Sequence, residues 1–239
     1  MQTLGVFAKQ PVPGRVKTRL AADWDVDRAA TLYECFVRDL LNRFRDAGDR
    51  RVVGFAPDLE AARDWFGSAA PGSQWTLWAQ PEVGLGGRME AFFTAWGDDD
   101  ADRTLLIGSD SPSIPDSWLD HAWRLLEDSD CVIGPASDGG YWLIGLRGSV
   151  TSEARRAVFD GVDWSTANVL AQSVERVARV GLRLELLPVW YDVDSAEDVE
   201  MLRGHLQAMA VAGEKLELPE TSRFLGLAAS QSNTMSGAT

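Results

Sequence analysis

Apolar residues along the chain switch repeatedly between short continuous or alternating runs and a period near 3.6. The run TLGVFA at residues 3–8 predicts a buried strand, and Leu32, Phe36, Leu40 and Phe44 recur at helical spacing within a long helix over 27–46. RVVGFAP then predicts a strand, LEAARDWF a helix, QWTLWAQ a strand and GRMEAFFTAW a helix. RTLLIGSD predicts a strand whose apolar run ends on Asp110, with a helix at SWLDHAWRLLED behind it. Further strands are expected at DCVIGPAS, GYWLIGL and LRLELLP, and helices at TANVLAQSVERVARVG and SAEDVEMLRGHLQAM. Strands alternating with amphipathic helices predict an α/β protein of three layers, a mainly parallel twisted sheet with helices on both faces. No repeat, long linker or charge block interrupts residues 1–218, which are expected to form one domain. Residues 219–239, rich in Ser, Ala, Thr and Gly, read as a partly flexible tail.

In such sheets ligands collect beyond the carboxyl ends of the strands, so the segments after strands hold the candidate chemistry. KQPVPGRVKTRL, residues 9–20, follows the first strand and places Lys9, Lys17 and Arg19 around a turn stiffened by Pro11 and Pro13 and made permissive by Gly14. Val16 and Pro11 stand where a Walker A loop needs glycines, so this is no P-loop. GLGGRM, residues 84–89, fails as a dinucleotide fingerprint because Met89 stands at its last glycine. A pre-organised cluster of cations suits a triphosphate; a solvated basic turn is the plain alternative.

Acidic candidates follow two other predicted strands. Asp110 can hold Mg²⁺, which favours one or two carboxylates plus substrate phosphates, or it can cap the next helix, although Ser113 and Asp116 are better placed for capping. Asp192 and Asp194 precede another helix, where Ser195 and Asp198 resemble a capping box. In GPASDGGYWLIGL, Asp138, Gly139 and Gly140 are a hairpin signal, while Tyr141 and Trp142 could wall an acceptor site.

The charge narrows the partners. With 36 Asp and Glu against 23 Lys and Arg, the net charge is −13, which argues against nucleic acid and anionic membrane as partners. Two cysteines and two histidines argue against a zinc site or a disulfide framework. The N-terminal segment lacks the pattern of a secretory signal, so a soluble cytoplasmic protein is expected.

Taken in order, FAKQPVPGRVKTRL, GLGGRM, IGSDSPSIP, GPASDGGYWLIGL, VDWSTANVL and DVDSAEDVEML resemble the DUF2064 group of the nucleotide-diphospho-sugar transferase (GT-A-like) superfamily. The first loop is also similar to the KTRL-bearing loop of phospholactate guanylyltransferases, and molybdenum cofactor guanylyltransferases share the architecture. The resemblance implies that Ala8, Lys9, Gly14, Lys17, Arg19 and Arg88 bind the nucleotide, with Lys17, Arg19 and Asp110 catalytic. It further implies that Asp138, Gly139, Gly140 and Tyr141 face the acceptor, and that Asp110 with Asp194 or Asp192 holds Mg²⁺ or Mn²⁺. Gly84 and Gly87 stand where acidic residues are common in the family, although Arg88 is retained. The implied activity is transfer of a nucleotidyl group from an NTP to a phosphorylated acceptor. The alternatives are glycosyl transfer from a nucleotide sugar and a non-catalytic nucleotide or phosphosugar sensor.

Overall fold

The computed structural model describes residues 1–70, 72, 74–97, 99–214 and 217–227. Strand β1 (Gln2–Lys9) runs into a turn and the single-turn helix α1 (Leu20–Asp23), followed by α2 (Val26–Arg43), β2 (Arg50–Ala56), α3 (Glu60–Ala69) and β3 (Thr76–Ala79). Then come α4 (Leu85–Trp96), β4 (Arg103–Gly108), α5 (Asp116–Asp128) and the hairpin of β5 (Cys131–Pro135) and β6 (Tyr141–Arg147). The remainder is α6 (Ser152–Phe159), α7 (Val169–Arg179), β7 (Leu184–Leu186), α8 (Ala196–Ala212) and α9 (Pro219–Phe224).

The strands lie in one seven-stranded sheet, ordered β3-β2-β1-β4-β6-β5-β7. Every pairing is parallel except those of β6, which runs against β4 and β5. Alternation along the strands divides the core between the two faces. Leu4, Val6 and Ala8 of β1 and Leu105 and Ile107 of β4 pack with α2, α5 and α8. Leu106, Ile133 and Ile144 point the other way, toward α4, α6 and α7. This is the expected three-layer α/β fold. Among the described residues no helix is long and apolar enough to cross a membrane.

Three helices depart from the pattern reading. Helix α1 is only four residues long. In α6 a core-facing position is held by Arg155, whose side chain is buried and donates to Gly97 O at 3.1 Å and Val150 O at 3.3 Å. A buried arginine breaks the apolar period by which such a helix is read. The segment expected to be a tail begins with α9, whose first backbone amides, Glu220 N and Thr221 N, donate to the Asp39 carboxylate of α2 at 3.0 and 2.8 Å; residues 228–239 lie outside the described residues. The expected capping of α5 by Ser113 or Asp116 is also absent. Pro115 occupies the N-cap, Asp116 accepts from Arg43 Nε at 2.6 Å, and Ser113 is engaged with Tyr191.

Candidate active site

The chain leaves β1 toward β2 on one side and returns through β4 on the other, so a crevice opens between the carboxyl ends of β1 and β4. Three segments meet there. The loop after β1 is pinned by two buried side chains, Val16 and Leu20, and turns through Gly14 at φ 75°. Between the two anchors Lys17 holds φ 46°, a left-handed conformation that a long side chain seldom adopts and that tertiary contacts must sustain.

Those contacts are ionic. Lys17 Nζ donates to Asp110 Oδ1 and, at 2.9 Å, to Asp194 Oδ1. Arg19 Nη2 donates to the second oxygen of Asp194 at 2.7 Å. The Lys17 side chain is 2% exposed, against 49% for Asp110 and 30% for Asp194, so the ammonium is the buried centre and the carboxylates form its rim. The rings of Tyr33 and Phe36 lie 5.6 and 5.7 Å from Nζ. Burial works against the Lys17 charge, but Asp110 and then Asp194 outweigh it and raise the ammonium pKa above its ordinary value. For Asp194, burial is likewise opposed by Lys17 and Arg19, which hold the carboxyl below its usual range.

Two connections fix the spacing of these groups. Tyr33 of α2 accepts from the backbone N–H of Lys9 at 3.0 Å and shares a 2.7 Å hydrogen bond with Ser109, tying the ends of β1 and β4 together. Burial and the Asp110 charge push its phenol up to about 12. Val193 N donates to Asp110 O at 2.9 Å and joins the two acidic segments directly. Ser195 and Asp198 form a complete capping box at the start of α8, which leaves Asp194 free to face Lys17. Asp192 turns elsewhere and accepts from Ser111 Oγ; burial, with Asp110, Asp138 and Asp194 adding, pushes its carboxyl up to about 6.

Lys17, Arg19, Asp110 and Asp194 line a chamber of about 180 Å³ together with Lys9 and Arg15. Lys9 and Arg15 also border a larger cleft of about 810 Å³ over the ends of β2 and β3. Arg88 lines that cleft, its Nη1 3.4 Å from Gln80 Oε1 and its Nε donating to Val83 O at 2.7 Å. The structure therefore gathers Lys9, Lys17, Arg19, Asp110 and Asp194 and sets Arg88 in the adjoining space. Ala8 is buried in β1 opposite Phe55 and lines neither cavity, and Gly14 shapes the turn from its exposed side. Asp138 accepts from Gly140 N at 2.8 Å, Gly139 takes φ 91° against the backbone of Ala167, and the Tyr141 hydroxyl points to Met89 sulfur at 3.7 Å. Trp142 is no acceptor wall: it is 2% exposed and donates to Pro188 O, so it belongs to the core. Arg15 stands within the KQPVPGRVKTRL loop but was not singled out among its cations, and Tyr33 and Gln80 carried no motif signal and emerge only from the fold.

Among the described residues no three His, Cys, Asp or Glu side chains are grouped so as to hold a metal by themselves. The donor chemistry still fits Mg²⁺, which commonly takes one carboxylate and completes its shell from phosphates and water. Asp110 is half exposed and its Oδ2 has no hydrogen-bond partner among the described contacts. Both oxygens of Asp194 are engaged by cations, Oδ1 by Lys17 and Oδ2 by Arg19.

With this crevice and the β3-β2-β1-β4-β6-β5-β7 sheet described, the class follows from a relative that is 33% identical over 94% of the chain: the nucleotide-diphospho-sugar transferase superfamily. Residues 40–166 match the family described as "Uncharacterized protein conserved in bacteria (DUF2064)", and the chain belongs to it. A structure from Desulfovibrio desulfuricans G20, assigned as a nucleotide-diphospho-sugar transferase, is 33% identical over 94% of each chain, with a TM-score of 0.82. A nucleotidyl transferase from Methanothermobacter shares the fold at 16% identity and TM-score 0.55, covering 87% of this chain and 99% of its own. The 4-diphosphocytidyl-2C-methyl-D-erythritol synthase of Anaerococcus prevotii DSM 20548 does so at 10% identity and TM-score 0.56, over 87% and 98%. No curated protein sequence matches the chain.

Proposed function

We propose that this protein is a nucleotidyltransferase that moves an NMP group from an NTP to a phosphorylated small-molecule acceptor, with a divalent cation, Mg²⁺ or Mn²⁺, and release of pyrophosphate. The observation that carries the reading is the meeting of Lys17 and Arg19 with Asp110 and Asp194 beside a cleft with room for a nucleoside. An oxygen of the acceptor phosphate attacks the α-phosphorus in line while the bond to the α,β-bridging oxygen breaks, and pyrophosphate leaves with that electron pair. The acceptor phosphate is already ionised, so no protein base is required, and among the described residues no histidine or cysteine lines the chamber. Lys9 and Arg15, on the edge shared by the two cavities, orient the polyphosphate. Lys17 and Arg19 meet the charge that grows on the leaving group, in a setting where burial strengthens the interaction. A cation held by Asp110 and the substrate's phosphate oxygens would neutralise further charge on the phosphates.

A glycosyl transfer from a nucleotide sugar uses the same phosphate apparatus, and the assignment of the Desulfovibrio relative favours it as the second reading. One screen separates them: NTPs and nucleotide sugars with Mg²⁺ are ranked by thermal stabilisation, then the best ligand is incubated with phosphorylated and unphosphorylated acceptors. Pyrophosphate from an NTP supports the first reading, and a nucleoside diphosphate from a sugar donor supports the second. Stabilisation without turnover identifies a sensor, and binding of no nucleotide overturns the proposal.

A further inference from the structure

We infer that Lys17 acts as a resident counter-ion that keeps Asp110 and Asp194 from sharing a divalent cation until a polyphosphate draws its ammonium away. Metal binding by this chain is then coupled to nucleotide binding. The inference rests on the phosphate-binding reading above and adds an order of events to it.

Four observations carry it. The ammonium hydrogen-bonds one oxygen of each carboxylate, so it occupies the position from which one ion could bridge both. Its side chain is 2% exposed and lies over the Tyr33 and Phe36 rings, so water does not screen its charge from an incoming cation. Arg19 donates to the other oxygen of Asp194, which leaves Asp110 Oδ2 as the one oxygen of the two carboxylates with no cation on it among the described contacts. A lone carboxylate is a weak holder of an ion as reluctant to shed water as Mg²⁺. A polyphosphate changes the balance because it offers the ammonium several charged oxygens in exchange for two. Lys9 and Arg15 already line the same chamber and can hold it there. Once Lys17 turns to phosphate, Asp110 and Asp194 regain the acceptor positions it held. By linkage, whatever factor the nucleotide adds to metal affinity the metal adds to nucleotide affinity.

The full chain and its Lys17→Met variant are titrated with Mn²⁺ alone, with loss of the free-ion paramagnetic resonance signal reporting binding. Methionine keeps the apolar stem and removes the charge, so the variant is expected to bind Mn²⁺ about tenfold or more tighter than the parent. Equal affinity in the two proteins overturns the inference while leaving the functional reading intact. A second measurement needs no variant and stands if Lys17→Met fails to fold. Thermal stability of the parent chain is followed with Mg²⁺ alone, inorganic tripolyphosphate alone, and both. The expected result is no shift with Mg²⁺ alone, a rise with tripolyphosphate and a larger rise with both. A rise with Mg²⁺ alone overturns the inference. No rise with tripolyphosphate, with or without Mg²⁺, overturns both the inference and the phosphate-binding reading.

Discussion

Replacing Asp110 and Asp194 by asparagine, singly and together, measures how the buried ammonium of Lys17 is held. The lysine side chain is 2% exposed and the carboxylates are 49% and 30% exposed, so the cost of a broken pair falls on the lysine. Breaking a buried pair costs about 3–5 kcal/mol, because an uncompensated charge is left behind, whereas exposed pairs contribute about 0–1. Either single variant leaves Lys17 one carboxylate and also relieves the repulsion between the two acids. Each is therefore expected to lose about 1–2 kcal/mol. The double variant loses both attractions but gains the relief of repulsion only once. Its cost should exceed the sum of the singles by roughly that repulsion, and reach about 4–5 kcal/mol before deprotonation of Lys17 limits it. Urea unfolding at pH 7 with a chelator present, at an unchanged m-value, gives all three numbers. A double variant that costs no more than the two singles combined would refute the picture of one ammonium shared by two acids.

Lys17→Ala or Asp110→Asn should lower turnover about a hundredfold once the substrate pair is known, and unchanged kcat would remove both residues from the reaction. Tyr33→Phe strands the Lys9 N–H and should cost about 1–3 kcal/mol in urea unfolding; no loss would mean that the hydroxyl does not tie β1 to β4. Gly86→Ala places a methyl group 2.6 Å from Trp164 Nε1 and 2.7 Å from Phe159 O, a clash expected to cost about 1–3 kcal/mol, with a Trp fluorescence change as its local sign. Asp39→Ala frees the amides of Glu220 and Thr221 and should speed tryptic cleavage near Arg223. Burial, partly offset by hydrogen bonds from Thr221 and Glu220, raises the Asp39 carboxyl above its unfolded value. The folded state thus binds the extra proton, and the stability advantage of Asp39 over alanine should be largest at low pH and shrink as pH rises through that interval. An advantage that grows with pH would contradict this sign.

The strands and long helices were legible because their periods come from burial on one face or two, and β4 brings its chain to Asp110 as its apolar run requires. Helix α6 was not, since a core position is held by buried Arg155, a charged side chain whose hydrogen bonds include those to Thr94 Oγ1, Gly97 O and Val150 O. The charged residues could be picked out of the sequence, but not their pairing: Lys17 meets Asp110 and Asp194 across 93 and 177 residues. Local spacing holds no record of contacts made only by the order of strands. Tyr33 shows the same limit, since on a helix with buried Leu32 and Phe36 it looks like one more core aromatic. Local chemistry was readable where both partners are near in the chain, as with Ser195 and Asp198.

Helix α2 supplies an anchor to each of three distant parts of the molecule. Tyr33 holds the ends of β1 and β4, Asp39 holds the start of α9, and the buried guanidinium of Arg43 donates to Pro112 O at 2.6 Å and to Ile114 O. An α-helix turns about 100° per residue, so one residue inserted or deleted between Tyr33 and Arg43 would swing at least one anchor off its target. Loop lengths can drift among relatives at little cost, but the residue count of this helix cannot. Indels should therefore be excluded from it, even though only Tyr33 among its anchors lines the chamber.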